Sequence, residues 1–367
     1  MNPKRLAASA TVAVAAMLNS SCISLVFPGI WGTDLEPNND PTQAVLIGLD
    51  NLGQAKLSGA VRNSQDVDVY DLGAVQPGDR ITVSVTVPLG GTLDPVVALF
   101  DADLNLINYN DDVDYPGGNF NSFIDHVVRH ATDHCYIAVT DSGFSPSSGS
   151  YSLHVQVTRD GQVPTPVHQT VLLDFDGATV SIPGDRTYVI GAFNAGQVDP
   201  RLADREEWVE QGIRDILEDR YAAYDIDFVI TGEPNQPSEG TYSSLVFGGR
   251  SATMFGISQW VDHYNQDPTD TAIIFTTLWT SPFSFIASLD AILTSLGNVA
   301  AHELGHLLGL EHTADTTELM DASGTADTIL APQVFKVAPL YDQVFPFGWQ
   351  DAPQLLLDAL GPNPNAP

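Results

Sequence analysis

The stretch AAHELGHLLGLEH, residues 300–312, places three of the chain's nine histidines within eleven positions of an otherwise apolar segment. His302 and His306 stand four apart, a spacing that puts both imidazoles on one face of a helix. Imidazole nitrogen suits a zinc ion, and a catalytic zinc takes three protein ligands and keeps one position open for water. Gly309 permits a left-handed helix stop without steric penalty, so the chain can turn back and offer His312 as the third ligand. Glu303, beside the first ligand, is placed to take a proton from water activated there. A helix with three surface histidines is the alternative reading of the same residues. The mechanics of the full pattern H-E-x-x-H-x-x-G-x-x-H favour the metal site.

These residues, His302, Glu303, His306, Gly309 and His312, resemble the metzincin zinc metallopeptidases. That resemblance implies one catalytic zinc ion, Glu303 as catalytic base, and a methionine turn beneath the metal. Met320, in Glu318-Leu-Met-Asp321, is the residue in that place, with a gap-filling core methionine as the alternative. The likeness covers roughly residues 168–360 and is sharpest over 296–322. Thr313, after the third histidine, departs from the best-known subfamilies. No tyrosine closely follows Met320, so a tyrosine ligand is not expected.

The elements that must position these groups can be read outward from the motif. Its helix is expected from Leu296 to about Leu308. Before it, Thr170–Asp176 reads as a first strand and Asp204–Tyr224 as an amphipathic helix. In that helix Asp204 and Glu207 form a capping box, and Trp208, Val209, Ile213, Ile216 and Leu217 make the apolar stripe. Strands at Ile226–Ile230, Ser244–Phe247 and Thr271–Phe275 follow, and a short helix at Ala352–Leu360 closes the chain. This order predicts an α+β or α/β catalytic domain over residues 168–367, after a linker at 160–167.

Residues 42–159 have another rhythm. Short β-rich runs such as DRITVSVTV and YSLHVQV, separated by turn residues, predict an antiparallel β-sandwich. EPNND at 36–40, DVDVY at 66–70, LDP at 93–95, NDD at 110–112 and GSYSL at 149–153 resemble the bacterial pre-peptidase C-terminal domain, a jelly-roll-like accessory module of secreted peptidases. In that family the module usually follows the catalytic domain; here it precedes it. Asp101, Asp103, Asn105 and Asp112 mimic a calcium loop. Leu106 stands where such a loop needs glycine and no bidentate glutamate closes it, so a hairpin turn is expected, with bound calcium as the alternative. His126, His130 and His134 recur every four residues, but in a segment that reads as strand and turn, so no second metal site is expected.

The first 22 residues read as an export signal: a basic Met1–Arg5, an apolar Leu6–Leu18, then small residues before Cys22. The arrangement resembles a bacterial lipoprotein signal, which implies lipidation of Cys22 and a membrane anchor; Ile23 lacks the aspartate associated with inner-membrane retention in some bacteria, which favours the outer membrane over the inner. Secretion without a lipid is the alternative. Residues 23–41 read as a tether. With 14 Lys+Arg against 46 Asp+Glu the formal net charge is −32, which excludes a phosphate-backbone partner such as nucleic acid and suits an extracytoplasmic medium. Cys22 and Cys135 are the only cysteines, so there is no disulfide framework, and Cys135 reads as a buried strand thiol.

The sequence thus predicts a zinc endopeptidase acting on protein or peptide substrates, preceded by a β-sandwich. The competing expectation is a surface binding or adhesion lipoprotein with a structural or vestigial zinc site; oligomeric state is left open.

Overall fold

The computed structural model describes residues 32–366 apart from 144–145, 278, 280–281 and 284–285. The expected export signal and Cys22 lie outside the described residues. Among those described, no helix is long and apolar enough to cross a membrane.

Ten strands build the N-terminal part: β1 (Gly32–Thr33), β2 (Val45–Leu46), β3 (Gln54–Val61), β4 (Asp68–Asp71), β5 (Arg80–Thr86), β6 (Pro95–Phe100), β7 (Leu106–Asn110), β8 (Ser122–Val127), β9 (Tyr136–Asp141) and β10 (Gly149–Thr158). They form two five-stranded sheets, ordered β1-β3-β10-β5-β8 and β2-β4-β9-β6-β7, antiparallel except for the short β1–β3 and β2–β4 pairs. The chain therefore enters a sheet at Gly32, ahead of the expected boundary at residue 42. Alternation decides what lies between the sheets: Ile81, Val83 and Val85 of β5 face inward with Val97, Leu99, Val139 and Leu153. Strand β6 is buried on both faces, because Val96, Ala98 and Phe100 point away from that core onto Leu340 and Phe345 of the C-terminal part. Cys135 is a buried free thiol just before β9.

The C-terminal part contains β11 (Gln169–Asp174), β12 (Thr179–Ser181), β13 (Thr187–Val189), α1 (Ala195–Val198), α2 (Glu206–Arg220), β14 (Ile226–Ile230), β15 (Ser243–Phe247), β16 (Gly256–Ser258), β17 (Thr271–Ile274), α3 (Leu289–Leu307), β18 (Val337–Pro339), β19 (Trp349–Asp351) and α4 (Ala352–Leu360). Its main sheet runs β14-β11-β15-β17-β16, parallel except for the edge strand β16. Alternate residues divide between its faces. Val171, Leu173, Leu245, Phe247, Ala272 and Ile274 pack with α2 and α3, while Val246, Ile273 and Phe275 pack under the β12–β13 hairpin.

Two helix expectations need correction. Asp204 does not cap α2: it takes a left-handed conformation (φ 63°) after the turn at Pro200–Leu202, and Arg205 stands at the N-cap with no side-chain bond. Glu206 and Glu207 meet the helix dipole instead. The stripe narrows to Val209, Ile213 and Leu217, whereas Trp208 rotates outward and is 39% exposed. The motif helix α3 begins at Leu289, well before Leu296, because the Ser288 hydroxyl accepts from Ala291 N (3.1 Å) and starts it there.

Candidate metal centre

Helix α3 is buried along most of its length and carries His302 and His306 in its last two turns. It ends in a turn that only the sequence after it allows. Gly309 N donates to His306 O (2.9 Å) and Leu310 N to Gly305 O (2.9 Å), with Gly309 at φ 95°. A Cβ at Gly309 would also stand 2.6 Å from His263 Cα, so conformation and space both demand glycine. The reversed chain is held by Gln350, whose amide accepts from Glu311 N (2.7 Å) and donates to Glu311 O (2.8 Å). Tyr341 N then donates to His312 O (3.0 Å).

The three imidazoles converge. His302 Nε2 lies 3.2 Å and His306 Nε2 3.1 Å from His312 Nε2. His302 Nδ1 lies 2.7 Å from Leu319 O, and His306 Nδ1 lies 2.8 Å from Leu310 O. A carbonyl can only accept, so each Nδ1 carries the proton and each Nε2 turns a bare lone pair to the common point. Donors at 2.0–2.1 Å around a tetrahedral zinc ion stand roughly 3.3 Å apart. The triad fits that ion. Burial keeps the rings neutral: His302 is lowered, His306 well lowered by burial and by the other two rings, and His312 lowered to about 3 by burial and His302. Neutral imidazole is the ligating form.

Glu303 is 6% exposed, and burial alone pushes its carboxyl up to about 8. A Cβ on Gly256 of edge strand β16 would stand 2.5 Å from Glu303 Oε1, so that glycine leaves the carboxylate its space. Met320 is fully buried, with Sδ directly against Gly305 of α3. Its turn is tied to the residue after the third histidine. Thr313 N donates to Met320 O (2.8 Å), and the buried Glu318 carboxylate accepts from both Thr313 Oγ1 (2.8 Å) and Met320 N (2.5 Å). Thr313, noted in the sequence as a departure, is therefore a fastener of this turn.

Every described residue singled out for the site is brought together. Sequence reasoning missed Gly256, Gly305, Glu318 and Gln350. Of these, only Gly305 and Glu318 fall within the motif region; the other two arrive from β16 and β19. The remaining histidine run does not converge: His126 packs on Tyr264, His130 pairs with Asp358 (2.8 Å) and His134 with Asp71 (2.8 Å).

The stretch that mimics a calcium loop is a hairpin turn. Asp101 accepts from Asp103 N (2.9 Å), Asn105 N (2.8 Å) and Asn105 Nδ2 (3.0 Å), and Leu104 adopts φ 64°. Asp112 instead joins Asp94 and Asp111, and a second acidic group gathers Asp34, Glu36 and Asp68; in each group one ligand atom per residue lies within 4.8 Å of the others. Arg62 pairs with Asp34 (3.4 Å) and Glu36 of the second group.

Comparison with known proteins returned no match among curated sequences. Three solved structures are similar in part. The archaemetzincin of Methanopyrus kandleri is 14% identical, over 47% of this chain and 90% of its own, at TM-score 0.27. A zinc-dependent peptidase of Methanocorpusculum labreanum is 14% identical, over 45% and 93%, at TM-score 0.25. The pre-peptidase C-terminal domain of a Bacillus anthracis collagenase is 19% identical, over 33% and 100%, at TM-score 0.24. At these values they add nothing to the geometry above. The family model for matrixin (Peptidase_M10) matches residues 181–329, a stretch that contains the whole histidine motif and Met320, and supports a zinc metallopeptidase of metzincin type.

Proposed function

We propose that this chain is a zinc-dependent endopeptidase of extracytoplasmic proteins or peptides, with His302, His306 and His312 holding the ion and Glu303 as general base. The observation that carries the reading is the convergence of the Nε2 atoms of His302 and His306 on that of His312 at 3.1–3.2 Å, with the Nδ1 protons of His302 and His306 committed to backbone carbonyls. A bound zinc ion supplies Lewis acidity, which acidifies water and stabilises negative charge on a carbonyl oxygen.

The chain's own groups do the rest. Glu303 takes the proton of the attacking water and passes it to the leaving amine. Its carboxylate is buried beneath Gly256 of β16, which limits competition from bulk water for that proton. Phe275 N donates to Phe255 O (2.8 Å) and Gln259 N to Thr271 O (3.0 Å), so the backbone groups of Gly256 and Ser258 face away from β17. An extended peptide can add to that edge, which has no strand paired to it among the described residues, beside Glu303. A cavity of ≈ 360 Å³ lies beside Phe255, the residue before β16, and mixes apolar walls (Met254, Phe275, Trp279) with polar ones (Arg250, Thr253, Thr277). Trp279 is fixed there by its Nε1 donating to Ser295 Oγ of α3 (2.7 Å). Export, and anchoring through a lipid on Cys22, rest on the N-terminal sequence.

The test is digestion of a mixed, denatured protein substrate by the mature chain, with and without chelator, beside Glu303→Ala. Cleavage that chelator abolishes and zinc restores, and that the variant lacks while still binding zinc, supports the assignment. A zinc-loaded, folded protein that cleaves nothing overturns it in favour of a binding role.

A further inference from the structure

Between β16 and β17 the chain makes a turn in which two consecutive non-glycine residues, Tyr264 (φ 67°) and Asn265 (φ 51°), are left-handed. Backbone in that region persists only where its surroundings impose it, and here two separate parts of the molecule do so. On one side Tyr264 is driven into the β-sandwich. Its hydroxyl donates to Ile107 O of β7 (2.7 Å), the Arg129 guanidinium lies 3.8 Å above its ring centroid, and the His126 ring packs at 5.2 Å. On the other side the turn lies against the end of α3. Asp262 N donates to the carbonyl of His306 (3.0 Å), and Gly309 packs so closely that an added Cβ would stand 2.6 Å from His263 Cα and 2.7 Å from Tyr264 N. His263 Nε2 lies 3.6 Å from the Glu311 carboxylate, next to His312. Asn265 Nδ2 completes the fastening by donating to Gln169 Oε1 of β11 (2.8 Å).

A continuous set of contacts thus runs from the sandwich, through Tyr264, to the two places that aim ligands: the carbonyl of His306 and the reversal that delivers His312. The same interface is closed elsewhere by core-like packing. Phe100 of β6 meets Phe345 (5.3 Å) and Phe347 (5.2 Å), Trp349 N donates to Leu104 O (2.9 Å), and His130 pairs with Asp358. By contrast the covalent connection over residues 160–167 is exposed throughout.

We infer that the β-sandwich is a constituent of the metal centre and not a detachable accessory, with Tyr264 as the positioning residue through which it holds the histidine triad. This rests on the zinc reading above. Without the sandwich the turn at 262–265 loses the surface that imposes its left-handed backbone, and the end of α3 loses its backing. Groups that orient metal ligands from behind typically change metal affinity 10- to 100-fold.

The experiment measures zinc affinity of the full mature chain by competition with a chelator, well below its melting temperature, for wild type, Tyr264→Ala, Tyr264→Phe and Phe347→Ala. Tyr264→Ala is expected to weaken zinc binding about tenfold or more. Tyr264→Phe, which keeps the ring between Arg129 and His126 and loses only the bond to Ile107, falls between it and wild type. Phe347→Ala, at the aromatic contact with Phe100 and not in the 262–265 turn, is expected to lower the melting temperature and to weaken zinc binding less than Tyr264→Ala does. A protease site introduced into residues 160–167 gives an arm independent of folding of the variants: after cutting, the two fragments are expected to co-elute and retain zinc. Equal zinc affinity in Tyr264→Ala and wild type overturns the inference. So does a cut sandwich that departs while the remainder binds zinc undiminished. Wild type that binds no zinc is a different result and removes the metal reading itself.

Discussion

Gly256 of the edge strand and Glu303 of α3 face one another so closely that a single added carbon on Gly256 would stand 2.5 Å from Glu303 Oε1. The strand comes near enough to cover the carboxylate, which drives its pKa up, and still leaves its backbone beside it for a substrate to pair with. Burial of the proposed base and access for the proposed peptide substrate are both allowed by the absence of one side chain.

Gly256→Ala should accordingly damage turnover more than stability. Overpacking of this kind costs about 1–3 kcal/mol, and here the displaced atom belongs to the proposed base. The expected result is a fall in kcat/KM of about tenfold or more with zinc content unchanged. Steady-state kinetics beside metal analysis decides it: undiminished kcat/KM would mean that Glu303 has room the geometry denies it.

Met320 tests the floor of the site. It is fully buried, and truncating such a side chain to alanine costs about 2–5 kcal/mol, whereas the volume-conserving leucine costs less than about 1.5 kcal/mol. Met320→Ala should therefore lower the midpoint of denaturant unfolding markedly and Met320→Leu only slightly. Equal loss in both would point to a role for the sulfur itself beyond packing.

Asp111 gives the stability a pH dependence. Its carboxyl is pushed up to about 8 by burial first and then by Asp112, Asp94 and Glu311, against an ordinary value of 3.8. Between those values the native state holds a proton that the unfolded chain has released. The stability present at low pH is therefore lost as pH rises through about 4 to 8. Asp111→Asn removes that group, so its advantage over wild type in denaturant unfolding should grow from pH 5 to pH 8. Parallel profiles for the two proteins would exclude the effect.

Much of the outline was legible because local rules apply locally. The strands Ile226–Ile230 and Ser243–Phe247 and the helix Ala352–Leu360 follow from apolar periodicity, punctuated by turns. Where reading failed, a competing local signal or a distant neighbour had decided. The start of α3 went to Ser288, and Asp204 was lost as a cap because the preceding turn forces it left-handed. The apolar run of β6 carries no alternation because its second face is covered by Leu340 and Phe345, some 240 residues downstream.

The candidate ligand set for the proposed metal site is written into a short stretch of sequence. Helical spacing fixes His302 and His306 on one face, Gly309 permits the reversal to His312, and Glu303 sits beside the first ligand. All of this lies within eleven residues, where backbone geometry alone limits what can meet. What aims and shelters those groups comes from tertiary packing: Gly256 from an edge strand, Gln350 from β19, Glu318 folded back on Thr313, and Tyr264 anchored in the sandwich. Such contacts join residues far apart in the chain through buried polar groups that must find partners somewhere. Which partner each finds depends on packing of the whole molecule, and no spacing in the sequence records it.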